Sequence, residues 1–215
     1  MENPKNIDFW EKFLQDLPAS YAEWLNHEPT YLLENIEEGS SVLEVGCGNG
    51  RSLKVLLKRT KNITGIDHDQ TAVDHAKENM PEAKFEKADA VDLPFDDNSF
   101  DYVLCLTSFA NFGDKKFKAL EEMKRVLKND GFILFSVFAE NALPERMKAY
   151  KKFNLKIKEV SDKGKVLFDE LTDANVSEQF SKQDLENIFK QVNLYPIEIF
   201  RVGIGYFAKL SKKAI

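Results

Sequence analysis

Cysteine is scarce in this chain of 215 residues: only Cys47 and Cys105 occur, far apart. That excludes a disulfide framework and gives no zinc-ligand spacing. Two buried thiols in a reducing, cytoplasmic compartment are expected. Long apolar runs are also missing. "GFILFSVFA" (131–139) is the longest, far short of the roughly 20 residues that span a bilayer, and reads as a buried strand. The opening "MENPKNIDFWEKF" has no basic start followed by an apolar stretch, so no secretory signal is expected. Positive charge is not in excess, since 30 Lys and Arg face 36 Asp and Glu. Such a chain does not hold a duplex mainly by neutralising phosphates, although a local basic face remains open. Repeats and low-complexity segments are absent too.

What is present is an ordinary globular composition, 43% hydrophobic and 31% charged, enough for one domain with a full core. Strand-like and helix-like stretches alternate from about residue 41 to 139. "SVLEVG", "NITGID", "AKFEKAD", "FDYVLCLTS" and "GFILFSVFA" read as strands. Between them, "GRSLKVLLKRT", "QTAVDHAKENM" and "KKFKALEEMKRVLKND" carry helical periodicity, the last expected to stop at Gly131. Such alternation predicts parallel βαβ units with helices on both faces. Residues 1–38 hold Phe9, Trp10, Phe13, Tyr21, Trp24 and Tyr31, one or two helices forming a cap or lid. Residues 39–215 form the main domain, with an insert at about 141–178 that contains a hairpin around Gly164. Ser181 and Asp184 mark an imperfect capping box. "YPIEIFRVG" and "GYFAKLS" close the chain as an antiparallel pair at a sheet edge.

"VLEVGCGNG" (42–50) carries the chemistry. A glycine-rich turn after a buried strand brings backbone N–H groups close to a ligand, because no Cβ intervenes. The spacing is G-x-G-x-G; a dinucleotide fold would place its last glycine where Arg51 stands. The Lys-Ser/Thr of a phosphate-cradling loop is missing. Asp67 ends the second strand, where a carboxylate can accept from a ribose hydroxyl pair. Asp89 ends the third, where a carboxylate can accept from an adenine amine, beside the N–H of Ala90. Each acid alone reads as a cap or loop residue; three strand ends together point to a nucleoside.

These residues, with "GID", "ADAVDLPFDDNSFDYVLC" and "ALEEMKRVLKNDGFILFSVF", resemble class I S-adenosylmethionine-dependent methyltransferases over about residues 40–140. The type is methyltransferase domain 11, similar to ubiquinone/menaquinone C-methyltransferases. The resemblance implies a Rossmann-like α/β fold: a doubly wound, mostly parallel seven-stranded sheet with an antiparallel last strand, in an α-β-α sandwich. It implies S-adenosyl-L-methionine as cofactor and S-adenosyl-L-homocysteine as product. Glu44 would help hold the methionine amino group, Gly46, Cys47 and Gly48 would pass beneath the methionine and ribose, and Asp67 would hold the ribose hydroxyls. His68 would stack near the adenine, whose edge Asp89 and Ala90 would read. Leu106 to Phe112 would face the sulfonium and the acceptor; relatives carry histidines in this stretch and this chain has none.

The expected function is methyl transfer to a small molecule. A macromolecular acceptor (RNA or protein) and a non-catalytic interaction partner stay open. Thr107, Asn111 and Tyr206 are candidate catalytic groups, and Tyr21, Tyr31, Asn111 and Glu140 candidate acceptor contacts. Arg146, Lys148, Lys151, Lys152, Lys156, Lys158, Lys163 and Lys165 make the insert basic, read as a solvated face. Nucleic acid is not an expected partner, and the chain is expected to be a monomer or homodimer.

Overall fold

The computed structural model describes residues 6–16, 18–169 and 175–214. The side chains of Phe9 and Trp10 lie outside the described residues. Helices α1 (Asn6–Gln15) and α2 (Ala19–Asn35) precede the first strand, β1 (Val42–Val45). Then follow β2 (Ile63–Asp67), α3 (Gln70–Asn79), β3 (Lys84–Lys87), β4 (Phe100–Leu106), α4 (Lys116–Val126) and β5 (Leu127–Phe138). The insert holds α5 (Leu143–Lys152), β6 (Ile157–Val160), β7 (Val166–Phe168) and β8 (Val176–Ser177). Helix α6 (Lys182–Gln191), β9 (Tyr195–Val202) and β10 (Gly205–Ser211) complete the order.

The main sheet has seven strands in the order β3-β2-β1-β4-β5-β10-β9. Strands β1 to β5 pair in parallel, and β10 runs antiparallel between β5 and β9. All four residues of β1 and the run Tyr102–Leu106 of β4 are buried. Central parallel strands covered on both faces need such continuous apolar runs. Chain order reverses at β1/β4, which opens a crevice at the carboxyl ends of these strands.

Two helical expectations need correction. The stretch after the glycine loop forms a 3₁₀ helix over Leu53–Lys58 rather than an α-helix. Leu53 and Leu56 are both buried there, and a three-residue turn stacks them on one side. The last helix of the βα series ends at Val126, not at Gly131, which lies inside β5. The register jumps from Phe100↔Leu127 to Tyr102↔Phe132, so residues 128–131 bulge opposite Asp101. A Cβ on Gly131 would fall 2.5 Å from the Asp101 carbonyl oxygen, which requires glycine there.

The N-terminal helices are core rather than a loose cover. Trp24, 1% exposed, lies over Gly205, whose added Cβ would meet the indole at 2.1 Å. Tyr21 meets Phe13 and Phe138 edge-on. Tyr31 packs against Phe200 and Phe207 of β9 and β10. In the insert, the β6–β7 hairpin forms as expected, and β8 adds a third strand. The Ser181/Asp184 capping box closes in both directions.

Arg146 departs from the expected basic surface: it is 0% exposed. Its five guanidinium N–H groups meet five neutral acceptors. Nε donates to Tyr150 Oη, Nη1 to the Gly164 carbonyl and Gln179 Oε1, and Nη2 to the Ser177 carbonyl and hydroxyl. The guanidinium also lies 5.0 Å from the Phe138 ring, so one side chain clamps α5, the hairpin turn and β8 together.

Candidate active site

The crevice at the carboxyl ends of β1, β2 and β4 is a cavity of about 1000 Å³. Its floor is the glycine loop. Gly46 has φ +77°, and a Cβ there would fall 2.6 Å from Ser108 Cβ and Oγ. Only glycine allows both the conformation and the close approach of the β4 end. The Gly46 and Cys47 amides both donate to the Ile66 carbonyl at 2.9 Å, so the turn is fastened to β2.

Asp67, at the end of β2, is buried with Oδ2 accepting from Gly48 N (2.9 Å) and Oδ1 from Asp69 N (3.0 Å). Burial pushes its pKa up, but bonds from His68, Asp69 and Gly48 outweigh that and hold it below its usual range. His68 Nδ1 stands 3.3 Å from Asp67 Oδ1, and the ring lines the cavity half-exposed. Beyond β3, Asp89 accepts from Val91 N and pairs with Lys115 at 3.1 Å. Desolvation opposes its ionisation, yet Lys115 and the Val91 amide bring its pKa below the usual value. Ala90 lies beside it on the wall.

Glu44 is 1% exposed, and both its oxygens lie within 2.7 Å of Ser52 Oγ. Burial pushes its carboxyl up to about 8, against the opposing pull of Ser52 and Arg51. A buried carboxyl on a cavity wall that makes no ion pair with any described residue suits an incoming ammonium group. Burial likewise raises the Cys47 thiol, so this loop cysteine is a wall and not a nucleophile.

The cavity wall also carries apolar and aromatic side chains, Leu14, Tyr21, Trp24, Leu25, Phe112 and Phe138. Leu106, Thr107 and Asn111 line it too, and Leu167 and Val176 bring the insert to the wall. Thr107 has φ +62°, an outlier for a β-branched residue. Its N–H is held by the Ser136 carbonyl (3.0 Å) and hydroxyl (3.2 Å).

Three expected contacts lie elsewhere. Tyr31 is taken up by β9 and β10 packing, because its helix face points at Phe200 and Phe207. Tyr206 and Glu140 pair with each other at 3.3 Å and do not line this cavity. Conversely, Glu28, Arg51, Ser52 and Ser136 were not anticipated. Glu28 had a legible signal: it falls on the helical face of Trp24, Tyr31 and Leu32, a carboxylate in an aromatic stripe. Ser136 carried none, because its partners Glu28 and Thr107 are distant in sequence; Ser52 meets Glu44 only through the folding of the loop between them.

The donor set fits an adenosyl sulfonium amino acid: an acid for the ammonium, a close backbone turn, and acids for ribose and adenine. A family model described as "Methyltransferase domain" matches residues 43–135. A demethylmenaquinone methyltransferase of Staphylococcus aureus is 36% identical over 115 residues, 51% of this chain and 47% of the relative. The chain therefore matches about half the length of that curated relative. Among solved structures, a SAM-dependent methyltransferase from Methanosarcina mazei superposes with TM-score 0.69 at 18% identity, covering 86% of this chain and 98% of that one. A protein from Pyrococcus horikoshii OT3 gives 0.73 at 21%, covering 94% and 99%. Residues 43–135 thus match a methyltransferase-domain family, and the seven-stranded fold around them is shared with solved SAM-dependent methyltransferases.

Proposed function

We propose that this protein transfers a methyl group from S-adenosylmethionine to a small, largely apolar acceptor with an aromatic ring. The observation that supports this most is the mixed lining of the cavity. Its wall bears Glu44, the glycine loop, Asp67 and Asp89 together with the aromatic rings of Tyr21, Trp24, Phe112 and Phe138. An extended nucleic-acid strand would need a basic groove with exposed stacking rings, whereas these rings are enclosed.

S-adenosylmethionine, when bound, supplies an electrophilic methyl on a sulfonium sulfur. The chain's own part is to bind and align. Glu44 takes the ammonium, Asp67 the ribose hydroxyls, and Asp89 with the Ala90 amide the adenine edge. Thr107 and Asn111 also line the cavity, where they can orient an acceptor hydroxyl. Helices α1 and α2 and the insert enclose the acceptor and exclude water. Holding two reactants in line can contribute roughly 7–11 kcal/mol, so positioning alone is a sufficient catalytic role. No described helix is long and apolar enough to cross a membrane; an apolar acceptor would be drawn into the cavity.

The test is calorimetric titration with S-adenosylmethionine and with NAD, followed by turnover on a short-chain demethylated naphthoquinol, the probe suggested by the Staphylococcus aureus relative's name. Donor binding without NAD binding, and methyl label in the quinol, are the expected results. No binding of S-adenosylmethionine at any concentration overturns the reading. Binding with turnover only on RNA or protein moves the acceptor to that class.

A further inference from the structure

The amino-acid end of the donor carries two opposite charges, and Glu44 answers one of them. Five lining residues carry a basic side chain: Arg51, His68, Lys87, Lys115 and Lys165. His68 stands at Asp67 and Lys115 at Asp89, the ribose and adenine positions. Lys87 ends β3, on the adenine side. Lys165 belongs to the insert and reaches toward Glu178 at 4.0 Å. Arg51 alone sits with Glu44. It directly precedes Ser52, which bonds Glu44, and it is close enough to pull that carboxyl's ionisation downward.

Arg51 is also held in a particular way. One nitrogen, Nη2, donates to Glu28 Oε2 at 2.5 Å. Among the described residues no acceptor is bonded to its Nε or Nη1, and the side chain remains 35% exposed on the cavity wall. Glu28 itself is 1% exposed, comes from α2, and lies behind the wall rather than on it. Its second oxygen accepts from Ser136 Oγ at 3.2 Å. A carboxylate fixed at both oxygens therefore fixes one prong of the guanidinium fork. The remaining N–H groups are left for a planar, bidentate partner.

Resting on the methyl-donor reading above, we propose that Arg51 binds the α-carboxylate of the donor, with Glu28 as the positioning residue that aims it. The N-terminal helix thereby completes the donor site from behind. Glu44 and Arg51 together recognise a zwitterion, and a donor lacking the carboxylate loses one of the two contacts.

Calorimetric titration with S-adenosylmethionine and with its decarboxylated analogue tests this directly. The wild type should bind the carboxylated donor at least tenfold more tightly. Arg51→Met should erase most of that preference, weakening S-adenosylmethionine tenfold or more while leaving the analogue within about twofold; Arg51→Lys should restore part of it. Because Arg51→Met strands a buried Glu28, the double variant Glu28→Gln/Arg51→Met, which removes both charges, should show the same loss of preference. Equal weakening of both donors, or no change in either, overturns the assignment. A wild type that binds neither donor overturns instead the methyl-donor reading on which it rests.

Discussion

Glu44 makes no ion pair with any described residue, and burial lifts its carboxyl to about 8. A carboxyl raised on folding stabilises the native state below its ordinary range, and that contribution is lost as pH climbs through about 8. Donor binding has the opposite demand, because an ammonium ion favours the ionised form. Binding near pH 7 should therefore expel close to one proton. Affinity should rise from about pH 6 to about pH 7.5, below the range in which an α-amino group itself titrates. Titrations in two buffers of different ionisation heat measure the proton count. Glu44→Gln should abolish the release and weaken the donor by roughly ten- to a hundredfold, the loss of one charged hydrogen bond; a release that persists in the variant would locate the proton elsewhere. Gly46 makes a second residue-scale prediction. Gly46→Ala imposes a positive φ on a Cβ, at about 1–2 kcal/mol, and drives that Cβ to 2.6 Å from Ser108. Thermal melts should show a clear fall, and donor affinity should fall with it because the turn must shift.

At the scale of elements, the ends of β4 and β5 are coupled through buried hydroxyls. Glu28 of α2 holds Ser136 on β5, and Ser136 holds the amide of Thr107 where β4 ends. Thr107 is kept in a left-handed conformation that a β-branched residue adopts only under constraint. Strain in a residue on the cavity wall fits a role in alignment. Thr107→Gly relieves about 1–2 kcal/mol of backbone strain and adds about 0.5–1 kcal/mol of unfolded-chain entropy. Its melting temperature should hold or rise while turnover on the naphthoquinol slows. Ser136→Ala should lower both stability and turnover. If Thr107→Gly melts markedly lower and turns over normally, the strained residue serves packing alone. Only Glu28 left a trace in the sequence, as an acid in an aromatic helix face, and its link to Ser136 and Thr107 left none. The parallel strands, and the places of Glu44 in the first and of Asp67 and Asp89 near the ends of the second and third, could be read because each follows from local pattern: an apolar run, a glycine turn, an acid near a strand end. The Glu28–Ser136–Thr107 link joins residues up to 108 positions apart, and its existence depends on how α2 crosses the sheet. The same limit explains Gly131: the local pattern resembles a helix stop, but the close approach of Asp101 from another strand decides its role.

In the whole molecule, two additions to a parallel sheet define one cavity, α1–α2 from the N-terminal side and the insert after β5. Both were visible in sequence as departures from strand–helix alternation. The means of attachment was not. The aromatic residues of α2 suggested a lid, yet Trp24 over Gly205 and Tyr31 against Phe200 and Phe207 make that helix part of the core. The insert's charges suggested a uniformly solvated face, yet Arg146 is enclosed while its lysine neighbours Lys148, Lys151 and Lys152 are exposed or at least half-exposed. An arginine amid lysines cannot be told apart by charge pattern; the planar fork that satisfies five neutral acceptors separates it. Arg146→Met keeps the aliphatic stem over Phe138 but leaves the Gly164 and Ser177 carbonyls without this donor. At about 1–3 kcal/mol for each buried group left unsatisfied, the loss should reach roughly 3 kcal/mol, or about 6–12 °C in melting temperature for a domain of this size. Arg146 does not line the cavity and touches none of the donor acids. Affinity for S-adenosylmethionine measured below the new melting temperature should therefore stay within about threefold of wild type, while acceptor turnover falls as Leu167 and Val176 lose their fixed place on the wall. Donor affinity collapsing in parallel with stability would mean that the insert and the glycine loop form one cooperative unit, and that acceptor selection cannot be altered through the insert alone.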